Sequence, residues 1–255
     1  MMKSSWKNKI YIAVSCLLFI IGWQCCALYV DNEIYIPRLE LIVIQIKEIV
    51  VSSNFLKAVL SSFYRSILSY VFALIIALIL GVFSTICPFF RYMMVPINSL
   101  AKTIPTMVLV VLALVWFNKD IAPFIVGFAI IFPILYEGIR NNIMNIDPKI
   151  IEMTKIYEVS LVDKITKIYF PIIKFYFISI FVSTLSLTFK VVIAGEVHGQ
   201  PKYGIGSEIQ VEKMNFNTSG IFAWIIIIAV ISIVLEGINK ILNKKLYGWK
   251  SESRN

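Results

Sequence analysis

Lys102, Lys190, Glu137 and Glu196 stand within or at the edges of long apolar runs, and Arg65 opens another. A charge at the centre of a bilayer costs about 2.5–3.5 kcal/mol on insertion scales, so each needs water, a counter-charge or an interface nearby. Arg65, Glu137 and Glu196 lie close enough to run ends to reach headgroups. Lys102 sits about nine residues into its run, roughly 13 Å at the helical rise, and Lys190 about ten residues short of the next polar segment. These two lysines fit either a pairing with Glu137 or Glu196 or a position along a polar route that attracts an anion. Lys102, Lys190, Glu196 and Arg65 are therefore the candidates for lining a route through the chain.

Other chemistry is poorly represented. A G-x-x-x-x-G-K-[ST] phosphate loop does not occur in the sequence, so ATP binding through that motif is excluded. With one histidine and no H-E-x-x-H pattern, nothing points to a metal site. No nucleophile and base fall into a recognisable catalytic pattern, and no cofactor is expected. Cys16, Cys25, Cys26 and Cys87 sit in or beside apolar runs without metal-like spacing, which predicts buried, inert thiols. Asn217-Thr218-Ser219 fits a glycosylation sequon by chance.

The elements that must position those charges are set by composition. Hydrophobic residues make up 59% of the chain against 15% charged, with a mean hydropathy of +0.83, which is not a soluble-domain profile. Apolar runs at about 10–30, 63–86, 93–117, 121–138, 172–197 and 220–242 have the length that crosses a bilayer as a helix. Inside lipid each must be helical to satisfy its backbone. The fold class predicted is an all-α integral membrane protein with six transmembrane helices in one domain, residues 1–255. The first run resembles a signal peptide, but it is long and lacks a small-x-small cleavage site, so it is expected to stay as an anchor.

The net charge of +9 does not form one basic stripe, which argues against nucleic acid and for membrane topology. With the N-terminus inside, the inner side holds Lys3, Lys7, Lys9, Arg91, Arg140, Lys149, Lys155, Lys164, Lys167, Lys174, Lys240, Lys244, Lys245, Lys250 and Arg254, fifteen in all. The outer side holds six: Arg38, Lys47, Lys57, Lys119, Lys202 and Lys213. The positive-inside rule then predicts that both termini are cytoplasmic. Between the first two runs, Leu39, Ile42, Ile46 and Ile49 share one helical face, predicting a short helix on the outer membrane surface.

Between the fourth and fifth runs lies a charged loop, about 139–171. Asp147-Pro148 predicts a helix start, with Asp as cap and Pro at the first helical position. Ser160 followed three residues later by Asp163 has capping-box spacing and predicts a second start near Leu161, with a corner near Val159-Ser160. Ile156, Val159, Val162, Ile165 and Ile168 recur every third residue, leaving Lys155, Glu158, Asp163, Lys164 and Lys167 largely on other faces. This two-sided loop fits a helix resting on headgroups and fits equally a docking site for a cytoplasmic partner.

The spacing within IEMTKIYEVSLVDKITKIYFP resembles the EAA loop of the inner-membrane permease subunits of bacterial ABC importers. That pattern is Glu-Ala-Ala, three residues, Gly, nine residues, Ile, one residue, Leu-Pro. Glu152, Ile168 and Pro171 match in register; Met153 and Thr154 replace the alanines, Glu158 the glycine and Phe170 the leucine. The resemblance covers roughly residues 54–250, through LSSFYRSILSYVFALIIALILGV, AKTIPTMVLVVLALVWF, FPILYEGIRNNIMNIDPKIIEMTKIYEVS and FKVVIAGEVHGQPKYGIG, and is closest to the nitrate/sulfonate/taurine-type branch.

The resemblance implies a multi-pass protein of the bacterial inner membrane that forms the path for a small solute. It implies two copies of a cytoplasmic ABC ATPase subunit, an extracytoplasmic solute-binding protein, and a second permease copy in a homodimer. It also implies an ATPase-coupling set of Glu152, Thr154, Lys155, Tyr157, Glu158 and Ser160, and a border on the outer gate for the turn-rich segment from His198 to Gly206. A glutamate at the family's corner glycine must use another backbone geometry or a costlier one. On residues alone, an ATPase-independent transporter or channel, or an intramembrane lipid-modifying enzyme, stays open; both leave the EAA-like spacing unexplained.

Overall fold

The computed structural model describes residues 10–237 in full and the backbone of 4–9 and 238–252. Among the described residues every regular element is a helix: α1 Ser4–Val30, α2 Leu39–Val51, α3 Phe55–Ile86, α4 Pro88–Thr103, α5 Thr106–Trp116, α6 Ala122–Met144, α7 Pro148–Ile156, α8 Leu161–Lys164, α9 Phe170–Gly199, α10 Ile205–Met214 and α11 Thr218–Glu252. Five stretches are long and apolar enough to cross a membrane singly, and the bent pair α4–α5 brings the count to six. This is the all-α membrane architecture that the apolar runs predict. Lys3, Lys7, Lys9, Lys240, Lys244, Lys245, Lys250 and Arg254 lie outside the fully described residues.

The third span differs from its expected form. α4 and α5 meet at Ile104-Pro105 with a bend of 101°, so residues 93–117 form two helices around a sharp corner and not a straight helix. Pro105 lacks the N–H that would continue the ladder, and its ring pushes Ile104 into an extended conformation (φ −69°, ψ 123°). Pro96 and Pro133 lie inside α4 and α6, Pro123 occupies a first turn, where a missing N–H costs little, and Pro171 lies just past the π-helical stretch that leads into α9. The fifth span is longer than its apolar run. α8 passes through a π-helical stretch, Ile165–Tyr169, directly into α9, so the second loop helix is the beginning of that span.

The chain divides into two compact units. The larger holds residues 56–208 and 230–255. Its core joins Tyr70, Ala73 and Ala77 of α3 to Ile131, Leu135, Tyr136 and Ile139 of α6 and Ile173 and Leu185 of α9. A stripe of small buried residues along α3, Ala58, Ser62, Ser66, Ser69, Ala73, Ala77, Gly81 and Ser84, presents almost no side chain, which is how helix backbones approach closely in a membrane. Several hydroxyls on it are satisfied locally: Ser66 donates to Ser62 O (2.7 Å), and Ser69 to Arg65 O (2.8 Å) and Phe124 O (2.9 Å). A smaller cluster of Val110, Ala113, Ala122, Val126 and Val191 ties α5 to α6 and α9.

The smaller unit holds residues 1–55 and 209–229. Trp23 of α1 donates its indole N–H to Pro37 O (3.0 Å) and meets Phe222 edge-on at 5.0 Å, while Gln24 Oε1 accepts from Leu39 N at the start of α2 (3.1 Å). The amphipathic helix predicted at residues 39–49 is present, but Ile42 and Ile49 are buried by protein, so its apolar face is not laid on lipid. Asn217 of the sequon is a helix cap. Its Oδ1 accepts from Gly220 N (3.1 Å) and its Nδ2 donates to Gln45 and Glu212. Cys16, Cys25 and Cys26 are exposed rather than buried, and Cys87 is partly so; α1 is apolar around its circumference, so its thiols need no protein cover.

Candidate functional site

The charged loop begins where Asp147-Pro148 predicts: Asp147 Oδ1 accepts from Lys149 N at 2.9 Å and α7 runs to Ile156. Its end is a tight reversal centred on Glu158, whose φ of 47° lies in the left-handed region. Glu158 N donates to Lys155 O (3.2 Å) and Val159 N to Thr154 O (2.9 Å), the paired bonds of a Schellman termination. Glu158 thus occupies the position where helices usually place glycine, with the glycine's backbone conformation. The next helix starts at once: Ser160 Oγ accepts from Asp163 N (3.1 Å) and donates to Asp163 Oδ2 (2.8 Å), and Asp163 pairs with Lys167 at 2.7 Å. Caps at both ends and a closed corner leave little slack between Asp147 and Asp163.

Of the residues expected to face an ATPase, Glu152, Lys155, Tyr157, Glu158 and Ser160 are exposed. Thr154 is not. It is buried, with its hydroxyl donating to Ile151 O (2.7 Å), because the helical period puts Ile151 and Thr154 together on the face toward the core. The expected apolar stripe also divides: Ile165 and Ile168 pack on the core, whereas Ile156 and Val162 are exposed beside Tyr157, Met153 and Leu161. The outward surface of the loop is therefore mixed apolar and charged.

The in-span charges fall into three situations. Lys102 stands in the last turn of α4, immediately before the break, and forms an ion pair with Glu137 of α6. Arg65 and Glu196 are brought together: Arg65 Nη1 donates to Glu196 Oε1 at 2.8 Å, and Glu196 is fully buried. Glu196 therefore does not reach headgroups, and neither partner offers a free charge to a route. Lys190 is exposed on α9 and has no ion pair among the described residues. It shares its stripe with Ser183 and Leu187, while most of the helix around them is buried.

Sequence reasoning missed several residues that complete the Arg65–Glu196 pair. Ser62 Oγ donates to Glu196 Oε2 (2.6 Å) and accepts from Ile205 N (2.9 Å), and Gly206 N donates to the same carboxylate oxygen (3.1 Å). Arg65 also donates to Tyr203 O (2.8 Å) and Asp120 O (3.3 Å). The signals were present as the four-residue recurrence of small residues on α3 and the Tyr203-Gly204-Ile205-Gly206 turn, but neither names its partner.

Comparison with known proteins closes the question that the residues left open. The chain is similar, at 24% identity over 90% of its own length and 83% of the relative's, to a protein of Bacillus subtilis (strain 168) described as a putative aliphatic sulfonates transport permease protein. Residues 77–247 match the family model described as binding-protein-dependent transport system inner membrane component, a stretch from the middle of α3 into α11 that takes in the charged loop and the turn after α9. Family, apolar helices and loop spacing agree, and the chain belongs to the binding-protein-dependent transport system inner membrane components, as the permease subunit of an ABC importer.

Proposed function

We propose that residues 1–255 act as a single permease domain that pairs with a second copy of itself and is driven by two copies of a cytoplasmic ATPase subunit docked on the loop around α7. The observation that carries this reading is the rigid, doubly capped segment from Asp147 to Ser160, which presents Glu152, Lys155, Tyr157, Glu158 and Ser160 outward. An element that transmits a partner's movement must not absorb it, and this one has a capped start, a hydrogen-bonded corner and a direct continuation into α9. Thr154 would contribute from inside, by holding α7 to the core.

The open stripe of Ser183, Leu187 and Lys190 on α9 supports the pairing, since a polar face left uncovered in a membrane span calls for a neighbour or water. Lys190 favours a small anion as solute, and the similarity to a relative named for aliphatic sulfonates favours the same class. Both termini and the α7 loop are assigned to the cytoplasm by the distribution of Lys and Arg.

The test is purification with the ATPase subunit, followed by crosslinking from single cysteines placed at 152, 154, 155 and 157. Crosslinks to the ATPase from 152, 155 and 157, and none from 154, are the expected result. Their absence in an assembled complex rejects the docking face. Impermeant labelling of position 155 or 245 from outside sealed cells contradicts the topology, and a complex with one permease copy contradicts the homodimer.

A further inference from the structure

Glu196 is the one fully buried carboxylate among the described residues, and three donors from two directions converge on it. Arg65 of α3 reaches Oε1 at 2.8 Å; Ser62 of α3 and the Gly206 amide in the first turn of α10 reach Oε2 at 2.6 and 3.1 Å. α10 begins without a capping side chain of its own at Gly204, and its leading amides are taken up by the cluster: Ile205 N by Ser62 Oγ at 2.9 Å, Gly206 N by Glu196. The segment before it is tied to the same residues. Tyr203 O accepts from Arg65 at 2.8 Å, and Lys202 N donates to Asp120 Oδ1 at 3.3 Å, beside the Asp120 carbonyl that accepts from Arg65.

The backbone approaches the cluster closely at two glycines. A Cβ at Gly204 would stand 2.7 Å from the Glu196 carboxylate, and one at Gly206 would stand 2.5 Å from the backbone of Ile193 and Val197. Gln200, at φ 48°, turns the chain back toward the cluster as α9 ends.

We propose that Glu196 is the positioning residue of the segment 200–206, acting as the cap of α10 and the counter-ion of Arg65, so that this segment is held against α3 and α9 as one piece. The role replaces that of a route-lining charge. It rests on the reading above in one respect only, that this segment borders the outer end of the route. A glutamine in place of Glu196 carries one acceptor oxygen and a donor nitrogen where Arg65 on one side and the Gly206 amide on the other can only donate, so at least one of these two loses its partner. Gly204→Ala disturbs the same contact by bulk, without touching a charge.

The experiment uses the full permease–ATPase complex with native cysteines replaced by serine and a single cysteine at the buried position 201, labelled with an impermeant maleimide in permeabilised membranes. Loss of one buried partner is expected to raise the labelling rate of Glu196→Gln about tenfold, and Gly204→Ala about threefold. Complex recovery and labelling of a control cysteine at Asn54 should be unchanged. A rate at 201 within about twofold of the parent in both variants overturns the proposal. So does failure of both variants to assemble, because the cluster would then be holding the fold as a whole. Labelling of the parent from the two sides of sealed vesicles reports separately on whether the segment faces outward.

Discussion

Replacing Glu158 by glycine removes a defined backbone burden. A residue with a Cβ in the left-handed region costs about 1–2 kcal/mol relative to right-handed backbone, and glycine avoids most of that. Glycine gives back roughly 0.5–1 kcal/mol through the freedom it has in the open loop. The corner should therefore close more firmly by about 0.5–1 kcal/mol, equivalent to two- to fivefold slower exchange of the amides that depend on it. Those amides are Glu158 N and Val159 N, which bond to Lys155 O and Thr154 O. Hydrogen exchange on the assembled importer reads the effect, with ATPase co-purification and solute uptake measured alongside. Glu158→Gln separates the two roles of the residue, since it keeps the left-handed strain and removes the charge. Slower exchange with retained uptake for Glu158→Gly is the expected outcome. Faster exchange at Val159 would refute the backbone reasoning. Loss of uptake in both the glycine and glutamine variants would instead assign the side chain to docking.

Glu152→Lys should leave insertion intact and weaken ATPase co-purification, because it reverses a charge on the exposed face of α7 without altering either cap. Lys102→Met leaves Glu137 without its partner beside the α4–α5 break, so assembly should fall; adding Glu137→Gln should recover much of it, as expected when both members of a pair are neutralised. Lys190→Met should lower solute uptake more than it lowers assembly, with Lys190→Arg retaining part of the activity, and normal transport by Lys190→Met would reduce the residue to an interfacial anchor.

What could be read from the sequence was whatever local physics decides. The start of α7 followed from Asp147-Pro148, the restart at Leu161 from the Ser160–Asp163 spacing, and the spans from apolar length. Pro105 stands within the third apolar run, but whether a proline bends a span slightly or turns it through 101° depends on what packs on either side. Thr154 was assigned outward by analogy, while its true face is set by Ile151 and the core beneath it. The partners of Glu196 lie 134 and 131 residues away in the chain, at Ser62 and Arg65, and no periodicity or capping rule reaches that far.

The two carboxylates inside the larger unit bear on what the solute can be. Glu137 is committed to Lys102 and Glu196 to Arg65, so the charges that first suggested a polar route largely cancel one another. In a low-dielectric setting each pair avoids an isolated ion, and breaking it by removing one partner is strongly unfavourable. A passing anion would have to displace a carboxylate that already holds two or more hydrogen bonds to claim Arg65. Lys190 needs no such exchange. Its stripe with Ser183 and Leu187 is the uncovered side of a mostly buried stretch of α9, and among the described residues its ammonium has no ion-pair partner to surrender. Within the spans, the proposal of an anionic solute therefore rests on one lysine, and a single substitution that spares both internal pairs can decide it.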